Sequence, residues 1–377
     1  MKIVLSGGGT GGHIYPAITI ANHLKELQTD VEIIFVGTRS GLESTIVPRY
    51  GYSLEYISVA GFQRKLGFST IASAISLLRG MKEAYSLVKK IKPDLVIGTG
   101  GYVCGPILIW AAIMGIPTCI QEQNAMPGVT NKILSRFVNK IFLGYEEGAK
   151  YFSGKALKVF TGNPVRREIM VDKRQQALNE FRLEPNIKTI LAFGGSRGAR
   201  SINKAMACVE KEFAGRKDIQ ILHATGEAEY ERHISQLGKK VVEAANIKIL
   251  PYIYEMPLAL AVADMAVARA GAIGLAELMV KGIPSILVPY PYATANHQEF
   301  NARALEAAGA AVVILDKELT GERLQKEVEN ILENSETLLN MKTAALKVSK
   351  PHAAIDIAEQ ALNLVKKDGR TASAGQY

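Results

Sequence analysis

Cysteine is scarce in this sequence. Cys104, Cys119 and Cys208 are the only three, and no two have a paired spacing. That argues against a disulfide framework and a metal cluster, and for a reducing compartment. A secretory leader is not expected, because the apolar run Ile3 to Leu5 ends after three residues in glycines. Residues 95–120 lack charge and are long enough to cross a bilayer, but Gly98, Gly100, Gly101, Gly105, Pro106 and Pro117 punctuate them. They read better as strand, glycine turn, buried helix and strand. Charged residues make up only 21% and hydrophobic residues 48%, which excludes a disordered chain and supplies a large core. At 377 residues the chain fits two domains.

The net charge of +9 is unevenly spread: residues 1–164 hold 17 Lys/Arg against 10 Asp/Glu. Within 61–92, Arg64, Lys65, Arg79, Lys82, Lys89, Lys90 and Lys92 face Glu83 alone. Such a patch suits phosphate, nucleic acid or an acidic membrane surface. A solvated helix face is the plainer alternative.

Strand and helix signals alternate along the chain. Runs at 2–6, 31–37, 94–98, 117–121, 140–145 and 158–162 read as strands. They lack period-two alternation, as strands buried on both faces of a parallel sheet do. A helix is expected from about Pro16 to Leu27, with Pro16 in its first turn. The pattern restarts near Pro164, with strands expected within 189–200, 219–226, 247–253, 265–271 and 285–290. Gly115-Ile116-Pro117 and Gly282-Ile283-Pro284 close two similar strand–turn–helix stretches, an offset far longer than a solenoid repeat. The reading is two similar doubly wound α/β domains, residues 1–163 and 164–349, with 350–377 possibly packing back on the first.

Each domain opens on a glycine turn, SGGGTGGH at 6–13 and FGGSRGAR at 193–200. A glycine turn before a helix leaves backbone amides free and lets a phosphate touch the backbone. Gly7-x-Gly9-x-x-Gly12 formally matches a dinucleotide fingerprint, yet Thr38 and Arg39 follow the second strand where a ribose-binding acid belongs. His13 is expected near a helix N-terminus, a setting that suits a neutral general base. Glu122 and Asn124 are expected in a loop at the same sheet edge, to bind hydroxyls or supply a catalytic carboxylate. Glu277 in a helix start suits a ribose diol, or simply the helix dipole. No Asp-x-Asp occurs, so no tightly bound metal is expected, and positive groups and helix N-termini would have to stabilise a leaving diphosphate.

The series GGGTGGHIYP, GTGGYVCGP, QEQNAMPGVTNK, TGNPVRREI, GGSRGARSIN, RAGAIGLAELMVKGIPSILVPYP and NHQEFNA covers roughly residues 1–345. In that order it resembles the MurG family, the peptidoglycan N-acetylglucosaminyltransferases that make lipid II from lipid I. The resemblance implies a GT-B fold, two Rossmann-like domains with parallel sheets facing across a cleft. It implies inverting transfer of GlcNAc from UDP-GlcNAc to the C4 hydroxyl of MurNAc in lipid I. A GT-B glycosyltransferase acting on a different lipid acceptor is the alternative. By the resemblance Thr10, Gly11 and Gly12 match donor contacts, Asn124 and Arg166 match donor-site positions, and Ser196 matches a phosphate contact. Ile253 matches the position whose backbone meets uracil; Ala272, Ile273, Gly274, Leu275, Ala276 and Glu277 match the donor loop, with Glu277 on the ribose. Gln298 matches the residue that reads GlcNAc hydroxyls, and His13, Tyr102 and Glu122 match the acceptor side. Which of His13 and Glu122 is the base stays open. Many members carry Gln where this chain has Arg197.

The resemblance also gives the basic stretch a role. Residues 67–90 read as an amphipathic helix with Ile71, Ile75, Leu78, Tyr85 and Val88 on one stripe. An apolar spot ringed by Lys and Arg would hold the protein peripherally on the anionic cytoplasmic face of the membrane. The expected partners are then UDP-GlcNAc, lipid I and that surface, with no nucleic acid and no cofactor.

Overall fold

The computed structural model describes residues 1–59, 68–195 and 198–367, with the side chains of 68–77 and 367 outside that description. The chain forms two compact units, Met1–Val165 together with the segment from Lys350, and Arg166–Ser349.

The first unit holds a seven-stranded sheet: β1 (Lys2–Gly7), β2 (Glu32–Gly37), β3 (Ser53–Tyr56), β4 (Leu95–Gly100), β5 (Thr118–Glu122), β6 (Lys140–Leu143) and β7 (Leu157–Phe160). Their spatial order is β3-β2-β1-β4-β5-β6-β7, and every pairing is parallel. Val4 on β1 registers with Ile34 on β2 and Val96 on β4. The order reverses between β1 and β4, the point at which open α/β sheets bind ligands beyond their strand C-termini. Both faces are covered, so the strands need no polar face. Ile3 and Leu5 pack toward helix Gly11–Leu27, whereas Val4 and Val96 pack with Val88, Ile107 and Leu108 from helices Phe68–Ile91 and Cys104–Ile113.

Helix Ala353–Lys367 lies on helix Gly11–Leu27 and adds Ile357, Ala358, Ala361 and Val365 to that core. The first helix starts five residues earlier than the apolar pattern indicates. Pro16 is therefore interior, and His13 lies in the first turn. The glycines at its start carry no apolar signal, so periodicity alone places the start too late.

The second unit holds β8 (Lys188–Phe193), β9 (Ile219–Ala224), β10 (Ile247–Leu250), β11 (Met265–Ala268), β12 (Ser285–Leu287) and β13 (Ala311–Val313). Their order is β10-β9-β8-β11-β12-β13, again parallel throughout, with the reversal between β8 and β11. β3 and β13 are strands that the sequence pattern does not signal. Each is a short edge strand of four or three residues.

Residues 95–120 form β4, helix Cys104–Ile113 and the start of β5. Among the described residues no helix is long and apolar enough to cross a membrane. The expected stripe on helix Phe68–Ile91 divides in two. Val88 faces the core with Ala84 and Ile91, while Leu78 and Tyr85 face outward; Ile71 and Ile75 lie outside the described side chains.

Candidate active site

In the first unit the glycine turn is shaped by close contact with its own protein. A Cβ on Gly7 would lie 2.0 Å from Thr99 Oγ1, and one on Gly101 would lie 2.5 Å from the Gly8 carbonyl oxygen. The Gly8 amide donates to the Gly100 carbonyl at 3.3 Å. The turn after β1 therefore lies against the turn after β4, where Gly100 and Gly101 have φ of +109° and +86°. The Gly9 amide donates to Glu43 Oε2 at 3.0 Å. Two of the amides expected to cradle phosphate are thus taken by the protein itself. Thr10, Gly11 and Gly12 remain at the helix N-terminus, where first-turn amides have no acceptor further back in the helix.

His13 packs its ring over Gly100: a Cβ there would come within 2.7 Å of Cδ2 and 3.0 Å of Nε2. Its Nδ1 lies 3.0 Å from the Gly8 carbonyl oxygen. A carbonyl only accepts, so Nδ1 carries a proton, and in the neutral ring the lone pair sits on Nε2. Thr99 Oγ1 donates to the His13 carbonyl at 2.7 Å, fixing the turn from below. Tyr102 brings its ring edge to 3.5 Å from where a Gly9 Cβ would sit. The structure thus gathers Thr10, Gly11, Gly12, His13 and Tyr102 at one sheet edge. Cys104 lies beneath them with its thiol donating to the Ser6 carbonyl; burial pushes that thiol up to about 11, so it is no nucleophile at neutral pH.

Glu122 ends β5, and its carboxylate is buried and saturated. Oε1 accepts from the Asn124 amide at 3.0 Å and Asn124 Nδ2 at 3.1 Å. Oε2 accepts from the Gly128 amide at 3.1 Å and Asn131 Nδ2 at 2.9 Å. Four donors converge on one carboxylate, closing the loop from Glu122 to Gly128 around it. Gln123 Nε2 donates to the Thr99 carbonyl at 2.6 Å, which ties that loop to the strand supporting His13.

In the second unit the glycine turn follows β8. Ser196 and Arg197 lie outside the described residues. Gly195 and Gly198 have φ of +86° and +72°, and the Gly198 amide donates to the Gly195 carbonyl at 2.9 Å. A Cβ on Gly198 would sit 2.0 Å from the Thr225 carbonyl oxygen, so the turn rests directly on the peptide after β9. Helix Arg200–Phe213 starts here and helix Ala272–Val280 starts after β11, the two strands flanking the reversal.

The expected donor loop, Ala272 to Glu277, is helical throughout. Ala272, Leu275 and Ala276 are buried in the domain, which leaves Ile273, Gly274 and the first-turn amides toward solvent. Glu277 is buried too, and Arg166 Nη2 reaches its Oε1 at 2.9 Å. Burial pushes the Glu277 carboxyl above its usual range, only partly offset by Arg166. Desolvation thus outweighs the ion pair here. Ile253 lines a cavity of about 610 Å³ with Leu250, Tyr252 and Tyr254. Gln298 Oε1 accepts from the Tyr290 amide at 2.9 Å, beside the consecutive left-handed residues Ala295 and Asn296.

Three features carry no local signal in the sequence. Arg269 Nη1 holds Asp316 Oδ1 at 2.6 Å and the Val288 and Pro289 carbonyls at 3.1 Å, bracing the second site from below. Glu210 accepts from buried His223 and His233, each at 2.7 Å, a cluster legible only once helix and strand are packed. Glu43 is the third.

The family model for the glycosyltransferase family 28 N-terminal domain matches residues 3–143, and that for its C-terminal domain matches 189–360. A protein of Desulforamulus reducens named UDP-N-acetylglucosamine–N-acetylmuramyl-(pentapeptide) pyrophosphoryl-undecaprenol N-acetylglucosamine transferase is 49% identical over 360 residues, 95% of this chain and 97% of its own. One of the same name from Bacillus pumilus is 45% identical over 354 residues, 94% of this chain and 96% of its own. The crystal structure of Acinetobacter baumannii MurG is similar at a TM-score of 0.76 and 28% identity, covering 96% of this chain and 99% of that one.

Proposed function

Because the chain belongs to glycosyltransferase family 28, we propose that it transfers N-acetylglucosamine from UDP-N-acetylglucosamine to the C4 hydroxyl of the N-acetylmuramyl unit of lipid I. The observation that carries this reading is 49% identity, over 95% of the chain, to a relative named for that transfer. The fold is GT-B, with two Rossmann-like domains of seven and six parallel strands.

The geometry favours His13 over Glu122 as the base in this reading. Glu122 spends both oxygens on four donors inside its own loop. Protonating it in a catalytic cycle would dismantle that loop. His13 is oriented through Nδ1 by the Gly8 carbonyl, so its lone pair is on Nε2. In the reaction the acceptor O4–H gives its proton to His13 Nε2 as O4 attacks the anomeric carbon. The bond from that carbon to the UDP oxygen breaks, and the configuration inverts. Glu122 shapes the loop that carries Asn124.

The second unit holds the donor. The N-termini of helices Arg200–Phe213 and Ala272–Val280 lie at its sheet reversal, and Ser196, which precedes the first of them in the sequence, is the phosphate contact of this reading. Helix N-termini favour the charge that grows on a departing diphosphate. Ile253 and the cavity beside it take the base; Gln298 takes the sugar hydroxyls; Glu277 with Arg166 takes the ribose.

The acceptor's lipid stays in the membrane, and the first unit has a surface suited to meet it. Leu78, Tyr85 and Ile113 are exposed on two packed helices, with Arg79, Lys82 and Lys89 beside them. Helix Val129–Leu134, packed on helix Cys104–Ile113, adds exposed Val129 and Ile133, and exposed Phe137 follows it in the chain, with Lys132 and Arg136 interleaved in sequence. Apolar side chains among cations bind an anionic interface.

The test is UDP release with a lipid I analogue. Release that needs both the acceptor and the GlcNAc donor, and fails with UDP-glucose, supports the reading; acceptor-independent release contradicts it. Flotation with vesicles with and without anionic lipid tests the membrane surface. Binding indifferent to lipid charge removes its electrostatic part.

A further inference from the structure

Glu43 begins the short helix Glu43–Arg49, yet this glutamate is only 1% exposed. It turns back under the sheet edge. Oε1 accepts from the Thr38 amide at 2.9 Å and the Thr38 hydroxyl at 2.8 Å, and Oε2 accepts from the Gly9 amide at 3.0 Å. Three glycines leave room for it. A Cβ would lie 2.7 Å from Glu43 Oε1 at Gly8, 2.4 Å from its Cγ at Gly37, and 2.2 Å from both oxygens at Gly41. None of these three has the positive φ that would itself call for glycine. The space for the carboxylate is what these three positions share.

We propose that Glu43 is a positioning residue of the transfer reaction, its buried carboxylate setting the glycine turn that carries His13. The link is direct. Glu43 holds the Gly9 amide, the neighbouring Gly8 carbonyl holds His13 Nδ1, and the next amides, Thr10 to Gly12, form the helix N-terminus. Glu43 also takes the site beyond β2 where a nucleotide-binding domain would offer its acid to a ribose. Its charge there disfavours phosphate at Gly9 and leaves an anion only the amides further along. This inference rests on the reading of that turn as the acceptor side of the transferase.

The experiment measures UDP release against both substrates for wild type, Glu43→Gln, Glu43→Ala, Gly41→Ala and the double variant. In Glu43→Gln one oxygen can keep Thr38, but an amide nitrogen then opposes the Gly9 amide. Hydrogen bonds to charged groups are strong enough that kcat should fall about 10- to 100-fold. KM for UDP-GlcNAc should rise far less than kcat falls, since of the expected donor residues only Thr10, Gly11, Gly12 and Asn124 lie in this unit; a loss of folding would lower active enzyme and leave kcat per folded molecule unchanged. Gly41→Ala keeps the carboxylate and displaces it, so it should give the same kcat loss. Added to Glu43→Ala it should do nothing more, because the group it collides with is gone. Wild-type kcat per folded molecule in Glu43→Gln, or independent multiplication of the Gly41→Ala and Glu43→Ala effects, overturns the inference. A wild type that releases no UDP with this acceptor overturns the transferase reading as well.

Discussion

Replacing Glu122 by Gln separates the two candidate bases. The substitution keeps the size of the side chain and exchanges one accepting oxygen for a donating nitrogen. Asn124 N and Nδ2 converge on Oε1, and Gly128 N and Asn131 Nδ2 converge on Oε2. Whichever way the carboxamide turns, two of the four donors face another donor. At about 1.5–3 kcal/mol for each hydrogen bond to a charged group, the first unit should lose about 3–6 kcal/mol. At roughly 2–4 °C per kcal/mol for a unit of this size, its Tm should drop by about 6–24 °C. Turnover should fall through the disturbed loop, but the acid limb of the kcat profile should stay where wild type has it, because His13 is unchanged. Thermal unfolding and a pH–rate profile on the same preparation report both. A Glu122→Gln protein that melts with wild type, loses turnover more than about 100-fold and has no acid limb would make Glu122 the base and refute the reasoning.

Two further outcomes follow from neighbouring geometry. Gly100→Ala forces a side chain into φ +109° and puts its Cβ 2.7 Å from His13 Cδ2. It should depress kcat while UDP affinity, measured calorimetrically, is unchanged; an equal loss of UDP affinity would contradict this. Glu277 holds its proton to higher pH when folded than unfolded, because burial outweighs Arg166. Its contribution is therefore fullest below the unfolded value near 4.5 and is lost as pH rises through the raised folded value. In denaturant titrations, the stability of wild type relative to Glu277→Gln should fall over that window; a gap that widens with pH would show the ion pair to dominate.

How much of this was legible depended on the range of the interactions. Buried parallel strands announce themselves locally, because β1, β4 and β5 have no face that needs polar residues. β3 does not, since none of its four residues is buried and it lies at an edge. Glycine turns and His13 are written contiguously, so the sequence pointed to them. The start of the first helix was masked by Gly11 and Gly12, which carry no apolar signal. Glu43 and Gly9 are 34 positions apart, and His223 reaches Glu210 only across a packed helix and strand. Their partners are chosen by topology, which no local pattern carries. The stripe expected on helix Phe68–Ile91 misassigned Val88, because tertiary packing turned that residue to the core with Ala84.

The most direct test of the account is steady-state UDP release by His13→Ala with UDP-GlcNAc and a lipid I analogue. The account predicts a kcat lower by about 10²- to 10⁴-fold, with KM for UDP-GlcNAc and thermal stability close to wild type. Turnover within a few-fold of wild type in that variant would contradict it.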